Sequence, residues 1–222
     1  MIKFQKKIPK ILVIGDLMID YYLLGSSDRI SPESPVPIID INNESTHLGG
    51  AGNVVNNLKA LGSEIDVISV LGDCNNSKEL NNLLTEIKIS TKYIVIEEER
   101  IATKKTRIIV SKQQLVRYDQ ESSKQISSDS QNTILETFTE IISSYDLVIL
   151  SDYGKGVLTP KLTQSLISTA KIHGKKVLID PKGRDYSKYK GAYLLTPNKK
   201  EASEASGINI IDNESLNMAI TK

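Results

Sequence analysis

The 222-residue sequence predicts an α/β fold, with a mainly parallel sheet covered on both faces and a small accessory β sheet beside it. Two observations carry this. Short continuous apolar runs such as Ile11-Leu12-Val13-Ile14 have the length and composition of strands buried on both sides, and segments of helical period separate them. Two further stretches break that βα rhythm and have the composition of surface strands.

The elements follow in order. Ile11–Ile14 predicts a buried strand ending at Gly15-Asp16. Val36–Ile41, after the Pro-rich turn Ser31-Pro32-Glu33-Ser34-Pro35, is the first irregular stretch. Gly50–Leu61 predicts a helix with Val54, Leu58 and Leu61 on one side. Val67–Leu71 predicts a strand and Ser77–Ile87 a helix. Ala102–Asp119 is the second irregular stretch. Its runs Thr106–Val110 and Leu115–Tyr118 can pair as a hairpin around Ser111–Gln114. Asp146–Leu150 and Lys176–Ile179 are two more strands. The helix between them has Thr159 as N-cap, Pro160 at its first position and Gly174 just past its end. Asn213–Thr221 carries Leu216, Ala219 and Ile220 at helical spacing and runs to Lys222 without a cap, so the domain is expected to continue past that point. No repeat, low-complexity linker or domain boundary divides the chain.

Composition removes several classes of function. Lys and Arg number 28 against 27 Asp and Glu, so no basic footprint points to nucleic acid or to a membrane surface. Cys74 is the single cysteine, which rules out an intrachain disulfide and argues against a Cys-based metal site. His47 and His173 lie far apart and make no zinc pattern. Ile11–Ile14 is too short for a signal peptide, and no run reaches membrane-spanning length, so a reducing cytoplasm is expected. The P-loop and the Gly-x-Ser-x-Gly elbow are absent. Gly50-x-Gly52 meets Val55 where a dinucleotide fingerprint needs a third glycine, which disfavours an oxidoreductase.

Several residues are candidates for chemistry, each with a bland alternative. Gly49-Gly50-Ala51-Gly52-Asn53 opens a helix, where glycines admit a ligand close to the backbone; a tight loop–helix junction would look the same. Asp16 and Asp20 flank the end of the first strand, where open α/β sheets bind ligands, and a carboxylate there can accept sugar hydroxyls or simply cap a turn. Lys105 and Arg107 share one strand face, and with Lys104 and Arg117 they make the second irregular stretch basic. Such a face can hold a phosphate or merely protect an edge. Ser151-Asp152-Tyr153-Gly154-Lys155-Gly156 and Asp180-Pro181-Lys182-Gly183-Arg184-Asp185 each follow a strand directly, on the same sheet edge. Asn198-Lys199-Lys200-Glu201 reads equally as a helix capping box and as a holder of phosphates or Mg²⁺.

Taken in order, these motifs, with Arg29-Ile30-Ser31-Pro32-Glu33-Ser34-Pro35-Val36-Pro37, Lys105-Thr106-Arg107, Gln113-Gln114 and Thr196-Pro197-Asn198, resemble the ribokinase-like (PfkB) carbohydrate kinases along nearly the whole chain. Within that family the chain is most similar to the heptose 7-phosphate kinases. The resemblance implies a three-layer α/β/α core whose β lid, at about residues 30–45 and 100–120, joins two copies as a homodimer. It implies transfer of the ATP γ-phosphate, with Mg²⁺, to the anomeric hydroxyl of D-glycero-D-manno-heptose 7-phosphate. The product would be the 1,7-bisphosphate that feeds ADP-heptose and lipopolysaccharide core synthesis, with an adenylyltransferase fused or separate. Asp16, Asp20, Gly49, Gly50, Gly52 and Asn53 would hold the sugar. Lys105, Arg107 and Arg117 would reach its 7-phosphate, and Asp152 and Lys155 would line the crevice. Asp180, Lys182, Asn198, Lys199, Lys200 and Glu201 would lie at the ATP phosphates and Mg²⁺, with no tightly bound metal. Gly52 departs from the Ala often found there in close relatives. The family's Gly-Ala-Gly-Asp loop, which supplies its catalytic base, does not occur in the sequence, so the base is expected beyond Lys222 and the chain alone is expected to be inactive. The alternatives are another sugar or nucleoside kinase of this fold, or a non-catalytic binding or dimerisation module.

Overall fold

A strand with apolar side chains on both faces can only sit inside a sheet that is covered on both sides. In the computed structural model, which describes residues 7–221, that strand is β1 (Lys10–Gly15). Leu12 and Ile14 join one apolar layer, and Ile11 and Val13 join the other, as the twofold alternation of a strand requires. The first layer is closed by Ile134 and Phe138 of α3 (Ser128–Ile141) and by Leu162 and Leu166 of α4 (Pro160–Ile172). The second is closed by Val55 of α1 (Ala51–Ala60) and by Leu80 and Leu84 of α2 (Asn75–Glu86). Phe138 is fully buried, and its truncation to Ala would cost about 3–5 kcal/mol by the usual cavity cost.

The sheet between these layers has six strands. Its order is β10 (Leu194–Leu195), β9 (Lys176–Asp180), β8 (Leu147–Ser151), β1, β4 (Glu64–Gly72) and β5 (Ile94–Glu97), and every neighbouring pair is parallel. Helices α5 (Lys199–Ser206) and α6 (Asn213–Thr221) follow the last strand. The caps read from sequence form: Thr159 Oγ1 accepts from Leu162 N at 3.2 Å, and Gly174 takes φ 66° past the end of α4. Lys222, where the sequence suggests an interrupted element, lies outside the described residues.

A second sheet of four strands stands apart, in the order β3 (Pro37–Gly50), β2 (Leu17–Ile30), β6 (Thr103–Val110) and β7 (Gln113–Gln120). The β6–β7 hairpin expected from Thr106–Val110 and Leu115–Tyr118 is present as an antiparallel pair. The sheet is wider than the expected stretches at 30–45 and 100–120, because β2 is one of its two inner strands and β3 continues to Gly50. β2 is hard to read locally. Gly25, Ser26, Ser27 and Asp28 are poor strand formers; Gly25 is still paired on both sides and Ser26 with β3, and the register shifts between Ser26 and Arg29 before pairing with β3 resumes. Helix α3 likewise has no counterpart in the sequence reading.

Candidate active site

Register brings the loops together. Gly15 pairs with Ser151, and Ser151 pairs with Asp180, so β1, β8 and β9 end side by side and their loops share one edge. The antiparallel β2–β3 pair ends beside them, with Leu17 opposite Gly50. The space along this edge is the candidate crevice, with a core wall, a lid wall and a third group of residues at one end.

The core wall is built on Asp16. It is 1% exposed, and its carboxylate accepts three backbone N–H groups from the loop after β8. Oδ2 receives Tyr153 N at 2.8 Å and Lys155 N at 3.0 Å, and Oδ1 receives Val157 N at 3.1 Å. Burial pushes the Asp16 carboxyl above its usual range, the N–H groups of Lys155 and Tyr153 pull against that, and the Asp152 charge adds to the rise. Asp152 is equally committed. Its Oδ2 accepts Lys188 Nζ at 2.6 Å and Tyr189 Oη at 2.8 Å, and its Oδ1 accepts Gly154 N at 2.8 Å. Lys155 turns its ammonium to Glu121, 2.7 Å away. The sequence pointed to these three as ligand-facing groups; in the structure each is engaged by other protein groups, and Asp16 and Asp152 shape the loop that frames the crevice.

Gly50 explains the glycine run. Its φ of 56° disfavours a side chain, and a Cβ there would stand 2.4 Å from the Asp16 carbonyl. It opens α1, whose first turn carries Gly52, buried, and Asn53, exposed. Gly49 packs against the Asp20 carboxylate, which a Cβ would meet at 2.5 Å.

The lid wall holds Asp20. Strand register places Asp20, Lys105 and Asp119 in one row across β2, β6 and β7, and Tyr22, Arg107 and Arg117 in the next row on the same face. Arg107 Nη1 donates to Asp20 Oδ1 at 2.6 Å, and its guanidinium lies 5.2 Å from the centre of the Tyr22 ring. Arg117 Nε meets Asp119 Oδ1 at 3.1 Å. His47, which pairs with Asp20 from β3, packs edge-on against Tyr22 with ring centres 5.7 Å apart. The sequence brought forward Asp20, Lys105, Arg107 and Arg117 and left Tyr22 and His47 aside. The alternation of β2 and β3 would have placed both on this face, had β2 been recognised as a strand.

Asp180, Lys182 and Asn198–Glu201 form the third group. Asn198 and Glu201 make the full capping box of α5: Asn198 Oδ1 accepts Glu201 N at 3.0 Å, and Glu201 Oε2 accepts Asn198 N at 3.1 Å. Glu201 Oε1 takes Lys182 Nζ at 3.1 Å. Lys199 and Lys200 stand exposed on the first turn of α5. Burial raises the Asp180 carboxyl, and the Glu201 charge raises it further against the pull of Lys182. A partly buried carboxylate raised by a second one, with a lysine beside them, suits a divalent cation carried on phosphate oxygens. They do not make a metal cage, and no cluster of three metal-ligating side chains occurs among the described residues. Tyr153, passed over in the sequence reading, lies between the groups. It is half-buried, and burial, then the charges of Asp180, Asp20 and Glu201, raise its hydroxyl. Its position inside Ser151–Gly156 was the available signal.

Residues 8–222 match the family described as pfkB family carbohydrate kinase. The chain is 58% identical over 210 residues to the bifunctional protein HldE of Aliarcobacter butzleri, covering 95% of this chain and 44% of that protein. It is 54% identical over 210 residues to the bifunctional protein HldE of Campylobacter fetus, covering 95% and 45%. The chain therefore spans less than half the length of these curated relatives. Among solved structures, phosphofructokinase-2 of Escherichia coli in its tetrameric inhibited form superposes with a TM-score of 0.75 at 19% identity, over 96% of this chain and 69% of that one. Arabidopsis thaliana ribokinase, complexed with ribose and ATP, gives 0.69 at 16% identity, over 97% and 68%. At these identities the structural likeness speaks for the ribokinase-like fold.

Proposed function

The chain belongs to the pfkB family of carbohydrate kinases, and from that premise we propose that it binds D-glycero-D-manno-heptose 7-phosphate together with the phosphates of ATP, as the kinase part of a bifunctional heptose kinase/adenylyltransferase. The observation that carries the substrate is the lid face. Arg107 and Arg117 are directly opposed on neighbouring strands, an arrangement that repels unless it is compensated. Asp20 and Asp119 compensate them in the free protein, and Lys105 adds a further positive charge to the same face. A phosphate would satisfy the cations through forked hydrogen bonds, and the Asp20 carboxylate would then be available to the sugar hydroxyls. A neutral sugar would leave the cations as they are. That favours a sugar phosphate over ribose or adenosine, and the HldE relatives name the family branch.

The chemistry is phosphoryl transfer, which depends mainly on positioning and on charge stabilisation. In this reading Asp20, Gly49, Gly50 and Asn53 seat the sugar against the first turn of α1, and Asp16 and Asp152 hold the loop that carries Tyr153 and Lys155. Lys182, Asn198, Lys199 and Lys200 lie toward the ATP phosphates. Mg²⁺, when bound, would neutralise phosphate charge, with Asp180 and Glu201 as its nearest carboxylates. Gly-Ala-Gly-Asp does not occur in the sequence, and no residue here is assigned as the base. The 222-residue chain is accordingly proposed to bind without turnover. Exposed Ile30, Ile41, Leu115, Val116 and Tyr118 on the second sheet support a homodimer through the lid. The ADP-heptose branch implies a cytoplasmic site of action; no helix among the described residues is long and apolar enough to cross a membrane.

Calorimetry and ADP release on the same samples test this. The 222-residue chain should bind heptose 7-phosphate at least about tenfold more tightly than fructose 6-phosphate, ribose or adenosine, a difference of about 1.4 kcal/mol, and should release no ADP. A protein carried through the full length of its HldE relatives should release ADP with heptose 7-phosphate alone. Equal affinity for ribose would sink the substrate assignment, and ADP release by the 222-residue chain would sink its proposed inactivity.

A further inference from the structure

One buried cation stands outside both walls of the crevice. Arg100 lies in the connection from β5 to β6, and its side chain is 7% exposed. A guanidinium leaves water at high cost unless its donors are matched. Here the matches come from separate segments. Nη1 donates to the Lys124 carbonyl at 3.1 Å, and Nη2 donates to the Lys155 carbonyl. Glu97, 3.7 Å from Nη1, balances the charge. Burial pulls the guanidinium below its ordinary value, and the Glu97 and Asp16 charges act against that.

These segments have a common meaning in the fold. Residues 97–102 lead into the β6–β7 hairpin, residues 121–127 lead out of it, and residues 152–157 form the loop after β8. Further bonds join the same three. Ser127 N donates to Glu97 Oε1 at 2.7 Å, and Ile126 N donates to the Gly156 carbonyl at 3.1 Å. A Cβ on Gly156, whose φ is 94°, would lie 2.1 Å from the Lys124 carbonyl, so the two backbones touch. Lys155 is held at its N–H by Asp16, at its carbonyl by Arg100 and at its ammonium by Glu121. Arg100 alone contributes two donors to two of these segments from the third.

We infer that Arg100 is a positioning residue that fastens both ends of the lid hairpin to the crevice loop, so that the Lys105–Arg107–Arg117 face and the Asp152–Lys155 loop respond to a bound sugar phosphate as one body. The fastening stands on the geometry alone, and the response to ligand rests on the proposed sugar-phosphate reading. The ligand does not touch Arg100. It acts through the lid cations, and the tether passes its ordering effect to the loop.

Hydrogen–deuterium exchange on the 222-residue chain separates the two parts. Arg100→Lys keeps the charge but replaces the rigid two-pronged fork with a single, strongly hydrated ammonium, which loosens the hold on two separate carbonyls. Without ligand it should speed exchange about tenfold in both 121–127 and 153–157, and leave α4 and β4 unchanged. With heptose 7-phosphate, the wild-type chain should gain protection in β6–β7 and in 153–157 together, and the Arg100→Lys chain in β6–β7 only. Wild-type exchange rates in both segments of the variant would overturn the tether, as would ligand protection that still spreads to 153–157. If the variant does not fold, the wild-type chain decides alone: the two segments must exchange at one common rate, and a tenfold separation between them overturns the inference. If heptose 7-phosphate changes nothing in the wild-type chain, the substrate reading fails, and the ligand-free comparison still judges the tether.

Discussion

Asp16 and Asp20 stand four residues apart on different walls of the crevice, and the structure holds them by opposite means. Asp16 on the core wall is buried, with three backbone N–H groups on its carboxylate. Asp20 on the lid wall is half-buried and is held by a side chain, Arg107. Backbone bonds of this kind form with the fold and cannot be traded for a ligand without undoing the loop. A side-chain ion pair can be traded, because both partners can turn to new groups. The difference separates a residue that builds a site from one that meets its occupant, although the two look alike in sequence.

The largest expected effect breaks this comparison most directly. Asp16→Ala leaves three backbone donors unpaired beside the end of β1 and should cost about 3–5 kcal/mol of unfolding free energy. Asp20→Ala should cost less than about 1 kcal/mol, since the pair it removes is partly solvated. Chemical denaturation of both variants measures the two values on one scale. Equal losses would mean that the walls are not different in kind.

Ligand affinity should sort the residues the other way. Arg107→Ala should weaken heptose 7-phosphate binding about 10–100-fold, the usual worth of a charged hydrogen bond. It should leave the weak affinity for unphosphorylated heptose within about twofold, because a neutral sugar has no charge for that guanidinium to meet. Calorimetry with the two sugars reads both numbers. A parallel loss for both would move Arg107 from phosphate recognition to lid integrity.

What could be read from the sequence follows the range of the interactions involved. The caps at Thr159 and Asn198 are legible because cap and partner lie three residues apart. Continuous apolar runs disclose the strands of the core sheet for the same local reason. The role of Asp16 is not legible, since its donors lie at Tyr153, Lys155 and Val157, which only the pairing of β1 with β8 brings near. Strand β2 is hidden by Gly25-Ser26-Ser27-Asp28, and with it the fact that Asp20, Tyr22, Lys105 and Arg107 share one face. Arg100 is hidden differently. Behind Glu97-Glu98-Glu99 it has the look of a solvated charge run, and only the closure of two distant segments over it buries its side chain.

The smallest expected effect concerns the price of the third group of residues. The Asp180 carboxyl is raised by burial and by Glu201, so the folded state holds its proton more firmly than the unfolded state does. Its charge therefore opposes folding at neutral pH. That opposition fades as pH falls through the raised folded value, and it is gone below the unfolded value near 3.8, where both states are protonated. Asp180→Asn should stabilise the chain at pH 7 by about 0.5–1 kcal/mol, the scale of relief found when a functional carboxylate is neutralised. The gain over wild type should shrink steadily as the melting experiments move to acid pH. A gain that is constant with pH would show that the amide merely packs better. A loss at pH 7 would show that Lys182 already compensates the charge, leaving this part of the crevice as settled as the wall around Asp16.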